Sequence, residues 1–292
     1  MKKQSRLGFS LIELSVVILV IGILVIGITQ GSRIISEAKL KSARSLTNSS
    51  PVNSISNLAL WFETTSEKSF DSGVGNNSTV ANWYDLNPQS AAKNNATQGT
   101  GNNQPIYIAK GINGLPMVDF SGNHFLSFDG SGILNQNYTV FIITQRTSGV
   151  ARNIVIGGMD TVNFQNLHFM YHPETSFVAA HYGDTGGNIS YTIPAYSRPI
   201  PTIHTIVFRT DFGKLYYENG GTNPDNTANT SIAQTPVSSW NGSAIGRYTG
   251  GGGLKYFYGD LAEIIIFSKA LNNTERQSVE SYLSQKWGIK LS

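Results

Sequence analysis

Gly8-Phe9-Ser10-Leu11-Ile12-Glu13-Leu14 runs without a break into Ser15-Val16-Val17-Ile18-Leu19-Val20-Ile21-Gly22-Ile23-Leu24-Val25-Ile26-Gly27-Ile28, and this stretch decides the architecture of the chain. Phe9 to Ile28 is twenty residues, enough for one helix to cross about 30 Å of hydrocarbon. Lys2, Lys3 and Arg6 all precede it. Positive charge stays on the cytoplasmic side, so the rest of the chain is expected outside. Valine and isoleucine are weak helix formers in water. In lipid the backbone must satisfy its own hydrogen bonds, so a helix forms regardless. The apolar core alone leaves two plainer readings open. One is an uncleaved anchor. The other is an ordinary secretory signal, for which Gly27, Thr29 and Gly31 offer small residues near a cut.

Glu13 adds information that apolarity does not. A carboxylate inside a span costs a few kcal/mol and usually marks function. Past the span, Ile34, Ile35, Ala38, Ser42 and Leu46 fall near one face at helical spacing. The helix is therefore expected to run on to about Leu46, a length of roughly 57 Å at 1.5 Å per residue. Asn48-Ser49-Ser50-Pro51 should stop it. Gly22 and Gly27 permit close helix packing, though glycine is also simply common in membrane helices.

The basic start, the Gly8-Phe9 pair and the lone Glu13 in the apolar segment resemble the type III signal of type IV pilins and type II secretion pseudopilins. The resemblance implies a prepilin peptidase that cuts between Gly8 and Phe9 and methylates the new amine. Loss of the first eight of 292 residues would leave 284, with Glu13 as the fifth. It also implies that Glu13 offsets the positive N-terminus of a neighbouring subunit during assembly. Implied partners are the peptidase, other pilin or pseudopilin subunits and the inner membrane. The implied location is the bacterial inner membrane before assembly (single pass, N-terminus cytoplasmic) and a periplasmic or cell-surface filament after it.

The remainder suits one large all-β domain or two small ones. The chain is rich in glycine and asparagine, with only 13% charged residues overall, which favours strands and turns over helices in this part. The net charge is +3, matched by Lys2, Lys3 and Arg6 alone, so no basic patch of the kind nucleic acid requires is evident. There is no cysteine, hence no disulfide and no cysteine metal site. Thr249-Gly250-Gly251-Gly252-Gly253 is a loop, and lacks the following Gly-Lys-Ser/Thr of a phosphate cradle.

Strand candidates recur between turn signals: Leu58–Phe62, Tyr138–Thr144, Ile203–Phe208, Lys214–Tyr217 and Tyr258–Phe267. Glu218-Asn219-Gly220-Gly221 reads as a hairpin turn. Many strands with few helices imply two stacked antiparallel sheets. One helix closes the chain. Asn272 or Asn273 caps it, Glu275 lies in its first turn, Val279, Tyr282, Leu283 and Lys286-Trp287 give its inner face, and Gly288 ends it.

That tail resembles the end of laminin-G-like, concanavalin A-like jelly-roll domains of bacterial surface proteins: Gly259–Phe267, then Ala270-Leu271, Glu275-Arg276, Tyr282-Leu283 and Lys286-Trp287-Gly288-Ile289. Leu60-Trp61-Phe62, Trp83-Tyr84-Asp85 and Asn113–Gly122 agree with it near the start. The expected fold is mainly β: a long N-terminal pilin helix, an antiparallel β-sandwich and a short C-terminal helix. The expected domains are a leader over 1–8, a pilin helix over 9–47 with the membrane span about 9–28, a linker over 48–56 and a jelly roll over 57–292. Pilins often have a small head with its own sheet and a C-terminal disulfide. This chain has no obvious room for the first and no cysteine for the second. A minor, tip or decorating subunit, or a pseudopilin, fits better than a bulky major one.

Some members of the resembled fold cleave glycans with Glu-x-Asp-x-x-Glu on one strand, which sets an acid and a nucleophile on one face. Here Asp260 and Glu263 are three apart, which on a regular strand points them to opposite faces. Glu63 and Glu67 have no partners evident in the sequence. His168 and His172 share a face at even spacing, but no zinc motif surrounds them, and surface histidines are expected. Asp71, Asp85, Asp119, Asp129 and Asp260 fall in or near loops where the resembled fold often holds calcium, though none forms a dense oxygen-ligand loop. No cofactor is assigned, and calcium stays open. Trp61, Trp83 and Trp287 read as core, while Trp240, in Ser238-Ser239-Trp240-Asn241-Gly242, is the best candidate for an exposed sugar-stacking ring.

The expected function is that of a minor type IV pilin or pilin-like subunit displaying a lectin-like domain for adhesion to a glycan or surface protein, and not an enzyme. The alternatives are a type II secretion pseudopilin with a structural or cargo-contact jelly roll and, more weakly, a membrane-tethered glycan hydrolase.

Overall fold

The computed structural model describes residues 11–150, 152–159, 166–182, 189–228, 236–250 and 253–292. The chain divides into two compact units, Met1–Ser42 and Ala43–Ser292.

Helix α1 spans Leu11–Asn48, with Glu13 in its first turn. Its apolar part has a mean hydropathy of 3.0 and none of it is buried. Leu11, Ile12, Ile18, Leu19, Ile23 and Ile26 are all exposed. A row of bare aliphatic side chains this long is unstable in water and suits lipid or other helices. The helix ends two residues beyond the expected Leu46. Ser50 then accepts from the Val52 N–H and caps a 3-10 turn over Pro51–Asn53.

The second unit is a sandwich of two antiparallel sheets. In the first, the strands run Asn226–Ala228, Gly213–Glu218, Thr202–Arg209, Tyr138–Arg146, Gly259–Phe267, Met117–Phe120 and Ile106–Ile108, and Leu58–Glu63 also pairs with Gly259–Phe267. In the second they run Ile189–Thr192, Ser176–Tyr182, Asn166–Tyr171, Asn153–Gly157, Ala244–Ile245, Leu126–Ser127, Ala96–Thr97 and Asn82–Trp83. Alternate residues of each strand face the other sheet, so Leu60, Phe62, Val140, Ile142, Ile206 and Phe208 meet Leu167, Phe169, Phe177 and Ala179 in one core.

Gly259–Phe267 is buried along its whole length and occupies the centre of its sheet. Its register against Tyr138–Arg146 shifts between Leu261 and Glu263, a β-bulge. Leu261, Ile264 and Ile266 all face the core, so the inward side chain moves by three residues across the bulge and by two after it. Helix α2, Asn273–Trp287, covers part of the outer face. Asn272 and Glu275 form a reciprocal capping box, and Gly288 ends the helix at φ 64°. Its buried side includes the expected Val279, Tyr282, Leu283, Lys286 and Trp287, together with Arg276 and Glu280.

Candidate functional site

The first site is the N-terminal span. Gly8 and Phe9 lie outside the described residues. Glu13 sits exposed near the start of α1, among aliphatic neighbours. A carboxylate on an apolar helix face is costly in lipid and usually marks function.

The second is a carboxylate network beneath α2. The bulge corrects the expectation for Asp260 and Glu263: both lie on the outer face of the sheet, because the extra residue cancels the odd spacing. Glu263 is directly opposite Glu63 on the neighbouring strand. Two facing buried carboxylates repel unless a cation joins them. Lys286 Nζ does so, at 2.8 Å from Glu63 Oε2 and 2.9 Å from Glu263 Oε2. Trp61 Nε1 (2.8 Å) and the Tyr282 hydroxyl (2.7 Å) donate to Glu263 Oε1, and Trp287 Nε1 (2.8 Å) donates to its Oε2. Glu63 accepts from Thr65 N and Oγ1, Ser66 N and Ser69 Oγ.

Burial pushes the Glu63 carboxyl up, but the Lys286 charge and the hydrogen bonds of Lys286 and Thr65 outweigh it and hold the pKa below the usual range. Burial likewise pushes Lys286 down, and the two carboxylates more than reverse it. All three side chains are inaccessible. A group so fully paired and so dry has no free lone pair for a substrate, and this constellation fastens a helix to a sheet. Glu63, without a partner evident in sequence, thus has several. Glu67 pairs with Arg44 at 2.6 Å. The missed signal was Lys286 itself, a cation on the inner face of a well-capped helix, which must find a carboxylate there.

Trp240 corrects a second expectation. It is only 4% exposed, packs edge-on against Phe128 at 5.3 Å, and fills the space over Gly130, where a Cβ would come within 2.5 Å of its ring. Its indole N–H has no partner among the described residues and adjoins a void of about 10 Å3, room for about one water. One face of the ring region borders an open shelf of about 540 Å3 with Lys93, Asn94, Asn95, Asp129 and Asn241. Much of that polarity is already spent locally. The Asn94 side chain donates to the Asp129 carbonyl and accepts from its N–H, Asn95 accepts from Asp85 N, and Asp129 accepts from the Ser131 N–H.

The remaining aspartates are dispersed. Asp71 accepts from Asn82 and Tyr84, and Asp85 from the main-chain N–H groups of Trp61, Asn87 and Asn94. Asp119 and Asp260 are cross-strand neighbours. Among the described residues no three His, Cys, Asp or Glu side chains group closely enough to hold a metal ion. His168 is buried, with its ring edge-on to Tyr248 at 4.8 Å, not at the surface as expected, and His172 lies half-buried one residue past the strand.

Residues 3–29 match the family described as the prokaryotic N-terminal methylation motif. That match contains Gly8, Phe9 and Glu13, and ends before the sandwich. The motif implies processing by a prepilin peptidase, anchoring in the inner membrane and assembly with pilins. No curated protein sequence matches the chain. Among solved structures, the binding domain of Paraclostridial Mosquitocidal Protein 1 is similar at 13% identity and a TM-score of 0.52, over 80% of this chain and 55% of that one. Trypanosoma rangeli sialidase is similar at 12% identity and a TM-score of 0.47, over 79% of this chain. The match spans 33% of the sialidase chain. At such identities the likeness is one of fold.

Proposed function

We propose that this chain is a minor type IV pilin or pilin-like filament subunit that displays its β-sandwich for adhesion, by binding and not by catalysis. The observation that carries this reading is the methylation motif on an apolar helix placed ahead of a large, separately compact sandwich. The sandwich adopts the concanavalin A-like jelly-roll architecture in this reading, over residues 57–292. Adhesion is favoured over hydrolysis because the facing carboxylates, Glu63 and Glu263, are sealed in ion pairs under α2.

Mass spectrometry of the mature N-terminus tests the proposal. A methylated Phe9 is expected. An N-terminus at Met1 would make the protein a tethered sandwich, and one near Thr29 to Ser32 a freely secreted one, and either result removes the filament reading. Recovery of the protein in sheared surface filaments separates a pilus from a secretion pseudopilus.

A further inference from the structure

The strands Tyr138–Arg146, Thr202–Arg209 and Gly213–Glu218 of one sheet and Asn166–Tyr171 of the other contribute to a cavity of about 100 Å3 between the sheets, also walled by the segment 193–200. Arg146, Tyr171, Tyr196, Arg198, His204 and Glu218 line it. No sequence motif pointed to it.

Arg146 is only 8% exposed. Its guanidinium lies over the rings of Tyr171 (5.0 Å) and Tyr196 (5.6 Å). It donates to the main-chain carbonyls of Glu174 and Pro194. A guanidinium has five N–H donors, so these bonds leave others available. Among the described residues no carboxylate lies within ion-pair distance of it, although Arg33, Arg44, Arg209, Arg276, Lys269 and Lys286 all have one. A buried cation without a counter-ion is costly, and it attracts a planar anion that can bridge its fork. Arg198, exposed at the rim, adds a second positive charge.

His204 does not compete for that role. Its Nε2 is 3.0 Å from the Tyr171 hydroxyl and its Nδ1 2.7 Å from that of Tyr216. Burial, helped by the Arg146 charge, lowers its pKa to about 3, so the ring is neutral. Glu218 contributes the opposite chemistry. Its Oε2 is buried and has no hydrogen-bond partner among the described residues, so it needs a donor. A ligand suited to these walls carries an anionic oxygen pair for Arg146 and a hydroxyl for Glu218.

We propose that this cavity binds the carboxylate-bearing terminal unit of an acidic glycan, acid end first, with the rest of the glycan directed to solvent. The inference deepens the adhesion reading and rests on it for its biological meaning, but the binding step can be measured by itself.

The test is saturation-transfer NMR on the detergent-solubilised full chain, titrated with glucuronate, glucose and acetate. Glucuronate should bind at least about tenfold more tightly than glucose, a difference of about 1.4 kcal/mol. Arg146→Gln should weaken glucuronate by at least about tenfold, and Arg198→Ala, at the exposed rim, by several fold. Glu218→Gln should weaken glucuronate while sparing acetate. Equal binding of glucose and glucuronate overturns the proposal, as does unchanged glucuronate affinity in both arginine variants. Acetate binding as tightly as glucuronate reduces the cavity to a simple anion site and overturns the glycan assignment. Glucuronate binding by a protein whose filaments do not adhere would instead fault the adhesion reading and leave the site standing.

Discussion

Asp260 is a buried carboxyl with poor company. It is 2% exposed, faces Asp119 across the strands, and has one oxygen bonded to Gln145 Nε2 at 2.8 Å and the other without a partner among the described residues. Burial first, and then the Asp119 charge, push its pKa up to about 7 against the Gln145 hydrogen bond. A pKa raised on folding favours the folded state fully below the unfolded value of 3.8, and that support is lost as the pH rises through about 7. Asp260→Asn should therefore raise the melting temperature at pH 8 and change it little at pH 3.5. Thermal unfolding at the two pH values checks this, and an equal effect at both would show that the carboxylate charge is not the cause. None of this was legible in the sequence. The three-residue spacing of Asp260 and Glu263 reads as two faces, and only the bulge, set by pairing with a strand more than a hundred residues away, puts them on one.

The two ends of α2 were readable because capping is local: Asn272, Glu275 and Gly288 lie within a turn of the groups they satisfy. Its docking was not, since Lys286 meets Glu63 across 223 residues of chain. The same distinction explains Trp240. A Ser-Ser-Trp-Asn-Gly loop looks exposed, and it is the bare Gly130 from a remote segment that lets the ring sink inward. For α2 as an element, Lys286 is the decisive contact. Lys286→Ala leaves two facing carboxylates buried without a cation, which should cost about 3–5 kcal/mol. Replacing Lys286, Glu63 and Glu263 together with apolar residues of similar volume should not recover that loss, because Trp61, Trp287, Tyr282, Thr65, Ser66 and Ser69 would lose their buried acceptors. Denaturant unfolding of the single and triple variants measures both. A triple variant as stable as the parent would mean that the donors around the two carboxylates contribute little and that only the uncompensated charge matters.

At the scale of the molecule, the chain joins an aliphatic helix, every large apolar residue of which is exposed from Leu11 to Ile28, to a sandwich whose core is closed. This division was the most legible feature, because a mostly apolar run of twenty residues and the alternating runs beyond it are signals of composition and period. The lone carboxylate of the span belongs to this scale as well. Glu13→Ala should leave processing intact yet sharply reduce recovery in filaments, since the new N-terminal amine of each incoming subunit would lose its buried counter-charge. Immunoblots of membrane and sheared-filament fractions report the two steps separately, and normal incorporation would sink the idea.

The position of Gly259–Phe267 has a temporal consequence. Leu58–Glu63 emerges from the ribosome early, while the strand that completes its hydrogen bonds emerges roughly 200 residues later. At bacterial synthesis speeds of about 5–20 residues per second, that strand waits on the order of 10–40 seconds with its apolar face uncovered. The sandwich therefore closes only after nearly the whole chain has been made, and its N-terminal half must be shielded from aggregation in the interval.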